Sequence, residues 1–398
     1  MINSLRSLPR TVWLLGLISL VNDAASDMIY PLVPLYLTSV LMAGPKALGL
    51  IEGIAEAVSS LLKLFAGVLA DRTRKVRGWV IAGYGVAGFA RPLIAFATSW
   101  LGVLACRFAD RVGKGLRTAP RDALLTLSVK PEQRGLAFGF HRAMDNFGAV
   151  VGPLIAAALL ALGMPLRQVL LCAFVPAAIV LWLTFAVPEP DHAPAAKPIA
   201  FTWNLREFPP AFKRYLAVLG LFMLGNSSNM FLLLRAKELG LSESQVPILW
   251  ALVSLVAAVL STPLSALSDR LERRTMIMVG WTIYAGLYLL FGLLPAQPWL
   301  LWPMFGAYGV FLAATEGVEK ALVADLVPSA QSGTAFGWYN LVVGILLLPA
   351  STLFGWLWAT LSPLTAFAFG SACALAAALL LQFWVAPAMF ARSAVEPR

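Results

Sequence analysis

The chain is 398 residues long, 60% hydrophobic and only 13% charged, with a formal net charge of +10. A water-soluble domain of this length needs far more polar residues to cover its surface, so soluble enzymes and soluble binding modules are excluded. The positive charge does not point to nucleic acid: Lys and Arg gather at the ends of apolar segments, as they do in the cytoplasmic loops of membrane proteins.

A membrane-spanning helix needs roughly 20 mostly apolar residues. Helices are the expected spanning element, because backbone groups in lipid must pair within their own segment. Twelve such segments are predicted, at 11–40, 47–70, 78–99, 101–128, 133–161, 168–187, 213–238, 245–268, 275–294, 299–327, 333–361 and 364–386. The Lys and Arg bias places both termini on the cytoplasmic side.

The first segment has no clear small-residue cleavage site and reads as a span rather than a signal peptide. It carries Asp23 and Asp27, four residues apart and so on one helix face. Neighbouring carboxylates resist joint ionisation, so one of them is expected to hold a proton, as a coupling site requires. The plainer expectation is that one simply pairs with an arginine. The second span carries Glu52, Glu56 and Lys63 and runs into Asp71, Arg72 and Lys75. The fourth carries Arg107, Asp110, Arg111 and Lys114 along one stripe, with Asp122 near its inner end. The fifth carries His141, Arg142, Asp145 and Asn146, then Gly148, Gly152 and Pro153.

Intramembrane charges are costly and should face a cavity or a partner. Asp23, Asp27, Asp145 and His141 are therefore the expected proton-coupling residues. Glu56, Lys63, Arg107, Asp110, Arg111, Lys114, Arg142 and Asn146 are the expected substrate contacts, with Arg107 or Arg111 as partner of Asp145. His141 titrates near physiological pH when unperturbed, although a lone histidine is more often a hydrogen-bonded structural residue. Glycines four apart, as at Gly148 and Gly152, let helices approach closely, and Pro153 can bend the span, giving a pliable gating seam between the halves or simply tight packing.

Residues 188–212 are rich in Pro and Ala and are expected to link two halves, 1–187 and 213–398. The end of this linker, 204–212, is expected to form a short interfacial helix. In the second half, Glu316 and Lys320 on the tenth span are placed to pair at i,i+4. Trp338, Tyr339 and Asn340 on the eleventh offer aromatic and amide contacts to a substrate, though interhelix packing explains the aromatics at least as well. Charge is thus concentrated in the first half.

The halves repeat. Gly67-Val-Leu-Ala-Asp71-Arg72 returns as Ser265-Ala-Leu-Ser-Asp269-Arg270, and Gly135-Leu-Ala-Phe-Gly139-Phe returns as Gly333-Thr-Ala-Phe-Gly337-Trp, both 198 residues on. One constant offset implies two halves related by a pseudo-two-fold axis along the membrane normal, with a central pathway. A latch is expected at the cytoplasmic side: Asp71 at the positive N-terminus of span eleven, near Ser332 and Gly333, with Arg72 and Lys75 pairing with Asp122, and the Asp269-Arg270 copy repeating this through Asp269 and Arg273 with span five and Asp325. Basic residues in an inner loop account for the same pattern by topology alone.

These segments carry a family resemblance. Gly67-x-x-x-Asp71-Arg72-x-Arg74-Lys75 resembles the signature between spans two and three of the major facilitator superfamily, with Arg74 in place of the usual glycine. Arg107 followed by Gly113 and Gly115 resembles its span-four signature. Gly139-x8-Gly148-x3-Gly152-Pro153 resembles the span-five motif of its proton-coupled exporters, with Ala156-Ala157 in place of the trailing glycines. The resemblance covers essentially the whole chain. It implies an all-α membrane protein with 12 transmembrane helices in two pseudo-symmetric six-helix bundles. It implies a monomeric carrier in a bacterial-type inner (plasma) membrane, with a small-molecule substrate and protons as partners, working by alternating access without a cofactor or a metal.

The leading expectation is proton-coupled efflux of a small amphiphilic solute such as a drug, a metabolite or a siderophore. The alternative is proton-coupled uptake of an anionic solute, motivated by Arg107, Arg111, Lys114 and Arg142. A membrane enzyme or a non-transporting sensor is disfavoured. There is no Gly-x-Ser-x-Gly, His-Glu-x-x-His or phosphate-binding loop, and no loop long enough for a soluble sensor domain. Cys106, Cys172 and Cys373 lack metal-ligand spacing.

Overall fold

The computed structural model describes residues 8–73, 76–130, 133–189, 204–268, 271–295, 297–328 and 331–385, excepting the side chains of residues 64–73 and 266. Every regular element among them is helical. In chain order they are α1 (Arg10–Ile29), α2 (Leu32–Leu35), α3 (Pro45–Thr73), α4 (Val76–Ala90), α5 (Trp100–Leu127), α6 (Arg134–Ala161), α7 (Leu166–Cys172) and α8 (Phe174–Phe185). The second half supplies α9 (Pro210–Gly225), α10 (Met230–Glu238), α11 (Gln245–Ser268), α12 (Arg273–Leu293), α13 (Leu301–Leu326), α14 (Ser332–Thr360) and α15 (Pro363–Leu380).

Among the described residues, nine helical segments are long and apolar enough to cross a membrane. The other three predicted spans are the helices α3, α5 and α13, of 29, 28 and 26 residues. All three interrupt their apolar runs with ionisable residues, α5 most heavily, and so fall short of a purely apolar criterion. The fold is the expected all-α architecture of two sets of six spans.

The first span is not one continuous helix. Proline lacks the N–H that would continue the ladder and crowds the preceding turn, and the chain breaks at Tyr30–Pro31 before α2 and a π-helical turn at Tyr36–Val40. The matching span of the second half breaks between α9 and α10, after Gly225. Residues 204–212 do not form a separate helix. A single 3₁₀ turn, Leu205–Glu207, is capped by the Asn204 side chain, which accepts from Arg206 N at 3.0 Å. Pro209 and Pro210 then open α9 directly.

The chain divides into two compact units. Unit 1 comprises Met1–Gly44, Ile54–Pro198 and Ala236–Leu255; unit 2 comprises Pro45–Gly53, Ile199–Arg235 and Val256–Arg398.

The glycine stripe of α6 does not form the expected seam between the halves: it packs on α1 inside unit 1, because its small residues face that helix. A Cβ on Gly148 would strike the Leu20 carbonyl, and one on Gly152 the Ala24 carbonyl. α4 and α5 meet in the same way, where a Cβ on Gly83 would lie 2.7 Å from the Gly113 carbonyl oxygen. Without a hydrophobic drive between helices in lipid, such close backbone contact is what holds spans together. Towards the start of α1, Leu8, Val12, Leu15 and Ile18 recur at helical spacing. They pack on Val76, Val80 and Tyr84 of α4 and on Leu124 and Leu125 of α5.

Unit 2 has an aromatic core. Phe222 stacks on Trp281 with centroids 4.5 Å apart, and Tyr284 stacks on Tyr288 at 4.0 Å. Phe354 and Phe367 meet edge to face at 5.1 Å.

Candidate substrate cavity

Unit 1 holds a cavity of about 400 Å³. Helix periodicity places its wall. Asp23, Ser26, Asp27 and Tyr30 form an i, i+3, i+4, i+7 stripe on α1, and Arg111, Lys114, Arg117, Thr118 and Arg121 form a longer one on α5. α3 contributes Glu56 and Lys63, α6 contributes Arg142 and Asp145, and α11 contributes Trp250. Arg91 enters from the end of α4, where Pro92 stops the α-helix and a 3₁₀ turn begins.

Behind this wall sits a fully buried carboxylate, Asp110. It accepts from Arg91 Nε at 2.7 Å and from Arg107 Nη1 at 3.3 Å, and Arg111 Nη1 lies 3.6 Å away. Arg91 also donates from Nη1 to Asn22, to its backbone oxygen at 3.2 Å and to Oδ1 at 3.0 Å. Arg111 reaches forward from Nη2 to Glu56 at 2.8 Å. Buried charges persist only where partners and extra hydrogen bonds offset lost hydration, and this network ties α1, α3, α4 and α5 together.

The remaining acids are held differently. Asp23 accepts from Asn22 Nδ2 at 2.8 Å, and Asp27 accepts from Trp250 Nε1 at 3.0 Å. Tyr30 lies beside Trp250, with ring centroids 4.9 Å apart and planes tilted by 33°. Asp145 accepts from Ser19 Oγ in a short hydrogen bond and lies 3.4 Å from His141 Nδ1. The expected pairing of Asp145 with Arg107 or Arg111 is therefore not the one formed. The reason is the glycine stripe: Asp145 precedes Gly148 by one turn, so the face of α6 that packs on α1 also turns Asp145 towards Ser19.

Asp23, Asp27, Glu56, Lys63, Arg111, Lys114, Arg142 and Asp145 thus share one cavity. Arg107, Asp110 and His141 are buried behind its wall, and Asn146 is half-buried on α6 outside the lining. Asp122 pairs with Arg121, Oδ1 to Nη2 at 2.8 Å. Lys75, Asp269, Arg270 and the side chains of Asp71 and Arg72 lie outside the described residues.

In unit 2, Glu316 meets Lys320 at 3.1 Å and Arg273 meets Asp325 at 2.6 Å. Tyr339 is buried and donates to Glu319 Oε2 at 2.9 Å; Trp338 is half-buried, and exposed Asn340 donates to the Phe336 carbonyl at 2.8 Å. Glu52 also belongs to unit 2, where it accepts from Ser228 Oγ at 3.3 Å.

Sequence reasoning passed over Arg91, Arg117, Arg121, Ser19, Asn22, Tyr30 and Trp250. Arg91 carried a usable signal: it lies inside the predicted third span, where the rule for intramembrane charge applies. Arg117 and Arg121 continue the α5 stripe, but near its inner end they look like topological charge. Nothing local marks Trp250, which meets Asp27 from 223 positions away.

The Major Facilitator Superfamily model matches this chain twice, at residues 15–217 and 215–397. The chain belongs to the major facilitator superfamily. A similar protein is the uncharacterised MFS-type transporter MJ1317 of Methanocaldococcus jannaschii, 34% identical over 385 residues, covering 95% of this chain and 96% of the relative. The multidrug resistance protein MdtH of Salmonella arizonae is 25% identical over 330 residues, covering 80% and 78%.

Among solved structures, a POT family transporter bound to a thioalcohol-conjugated peptide superposes with a TM-score of 0.80 at 13% identity, covering 97% of this chain and 99% of that one. The nucleoside transporter NupG superposes at 0.73 with 15% identity, covering 96% and 99%. At such identities these structures show the shared fold alone. This major facilitator protein is a multi-pass membrane transporter of small molecules, not an enzyme.

Proposed function

We propose that this transporter exports a small amphiphilic solute in exchange for protons, with the cavity of unit 1 as the site of both. The carrying observation is the setting of Asp23 and Asp27. Both line the cavity, and each accepts a hydrogen bond from a neutral donor, Asp23 from Asn22 and Asp27 from Trp250. A carboxylate held by neutral donors rather than a bound cation can exchange a proton without breaking a salt bridge. Export is supported by the resistance named in MdtH and by the Gly148, Gly152 and Pro153 stripe packed on α1.

In this reading the halves 1–187 and 213–398 alternate access in a plasma membrane, as a monomer with both termini cytoplasmic. Asp71, Arg72, Lys75 and Asp122, together with Asp269, Arg270, Arg273 and Asp325, serve the cytoplasmic gate. The sequence-expected contacts in unit 2, Glu316, Trp338, Tyr339 and Asn340, complete the solute pathway.

A second reading, proton-coupled uptake of an anionic solute, is favoured by the charge of the wall, where seven Lys and Arg residues face four Asp and Glu. Everted membrane vesicles separate the two. Export predicts release of protons from the lumen when solute is added; accumulation in whole cells along an imposed proton gradient would instead establish uptake. Asp27→Asn keeps an acceptor for Trp250, so the protein should fold with an unchanged melting temperature and lose proton-linked transport. An unaltered pH dependence of transport would remove Asp27 from the coupling site.

A further inference from the structure

The cations of this cavity are not equivalent. Arg91 and Arg111 are committed to Asp110 and Glu56, and Arg121 to Asp122. Lys114 and Arg117, one turn apart on α5, form no ion pair with any carboxylate among the described residues. The Arg117 guanidinium sits 4.2 Å from the centroid of the Tyr84 ring, and its Nε has no hydrogen-bond partner among those residues. An aromatic face holds a cation in place without neutralising it. The nearby acids attract these two cations only from beyond ion-pair distance: Glu56 and Asp145 make their short contacts with Arg111 and Ser19, and Asp23 and Asp27 accept from Asn22 and Trp250.

The same cavity carries an aromatic element. Tyr30 and Trp250 both line it, close enough to form a shelf against which a planar group can stack. The indole N–H of Trp250 is taken by Asp27, which fixes the ring rather than leaving it to rotate. A volume of about 400 Å³ lies within the range of pockets that enclose a drug-sized molecule.

We propose that the transported solute is an aromatic organic anion, with its acidic group on Lys114 and Arg117 and its ring against Tyr30 and Trp250. This rests on the reading of the cavity as the solute site, and it holds for either direction of transport. An oxyanion accepts from both cations at once, and charge-assisted bonds of this kind are the strong ones. The ring supplies the apolar contact that makes the solute amphiphilic.

The test is equilibrium calorimetry on the full chain in nanodiscs with no ion gradient, using naphthalene-2-carboxylate, its neutral carboxamide and acetate as probes. The naphthoate should bind at least about tenfold tighter than either comparison, because each lacks one of the two contacts. Lys114→Gln and Arg117→Gln should each weaken naphthoate binding about tenfold and leave carboxamide binding unchanged. Arg117→Lys should retain most of the affinity. Trp250→Leu should weaken naphthoate and leave acetate unaffected.

Lys114→Gln breaks no ion pair among the described residues, so it carries the test if the Arg117 variants do not fold. Equal affinity for naphthoate and carboxamide, wild-type affinity in Lys114→Gln, or no naphthoate binding at all would each overturn the proposal. Because binding is read without a gradient, failure of proton coupling in vesicles leaves this result standing, and the reverse also holds.

Discussion

The two units bury their acidic groups by contrasting means. In unit 1, Asp110 gathers three guanidinium groups, and one of these, Arg111, passes on to Glu56. In unit 2, Glu319 is 8% exposed and accepts from Trp281 Nε1 at 3.0 Å and from the Tyr339 hydroxyl at 2.9 Å, within the aromatic core. The first arrangement is a balance of full charges, so it fails when one member is removed. The second is a set of dipoles around one acceptor, so it depends on shape and hydrogen-bond count more than on net charge. Cavity-facing charge therefore comes with a stabilising network in unit 1, whereas Glu319 in unit 2 is held by neutral donors.

The largest expected effect is at Asp110. Asp110→Asn would leave buried Arg91 without a carboxylate partner among the described residues and take one from Arg107 and Arg111, and breaking such a network should cost about 3–5 kcal/mol. Thermal unfolding of the purified protein reads this directly, and an unchanged melting temperature would refute the charge-balance account of unit 1.

Glu319 sharpens the contrast. Glu319→Leu strands the donors of Trp281 and Tyr339, at about 1–3 kcal/mol for each. Glu319→Gln keeps an acceptor for both and should lose less than about 1 kcal/mol. If the glutamine variant is as unstable as the leucine variant, Glu319 acts through its charge and the distinction between the units collapses.

Gly152→Ala probes packing instead of polarity. Its Cβ would strike the Ala24 carbonyl and approach Met28 N at 2.8 Å, so α1 and α6 must separate. Overpacking of this kind costs about 1–3 kcal/mol, and the same melting assay should register it. The smallest expected effect is at Asp325, whose partner Arg273 is partly exposed. Asp325→Asn should change stability by less than about 1 kcal/mol while slowing transport; a large drop in solute affinity would count against a gating role.

The fold was legible because its signals are local or summed over many residues. Apolar length marks each span, and a repeat offset of 198 residues relates the halves. The break at Pro31 had a signal in the proline itself, but hydropathy averages over it. The charged stripes of α1 and α5 were also legible, since helical spacing alone puts Asp23 with Asp27 and Arg111 with Lys114.

Partner choice was not legible. Asp145 turns to Ser19 because of where glycines lie on α6, and Asp27 meets Trp250 through contacts 223 positions apart. Arg91 joins Asp110 only because α4 ends where it does, at Pro92. Composition and period give the face on which a residue lies, while the identity of its neighbour is set by the packing of other helices.

The glycine seam between α1 and α6 has a mechanical consequence. A Cβ placed on Gly148 would lie 3.2 Å from Cβ of Asp23, and Asp145 stands one turn away on the same helix. The two backbones touch with no side chain between them to act as a cushion, so α1 and α6 behave as a single strut. The acids carried by that strut keep a fixed spacing, like marks on a ruler. Any widening or narrowing of the cavity must then be taken up at its other walls, where long, flexible lysine and arginine side chains can follow the movement.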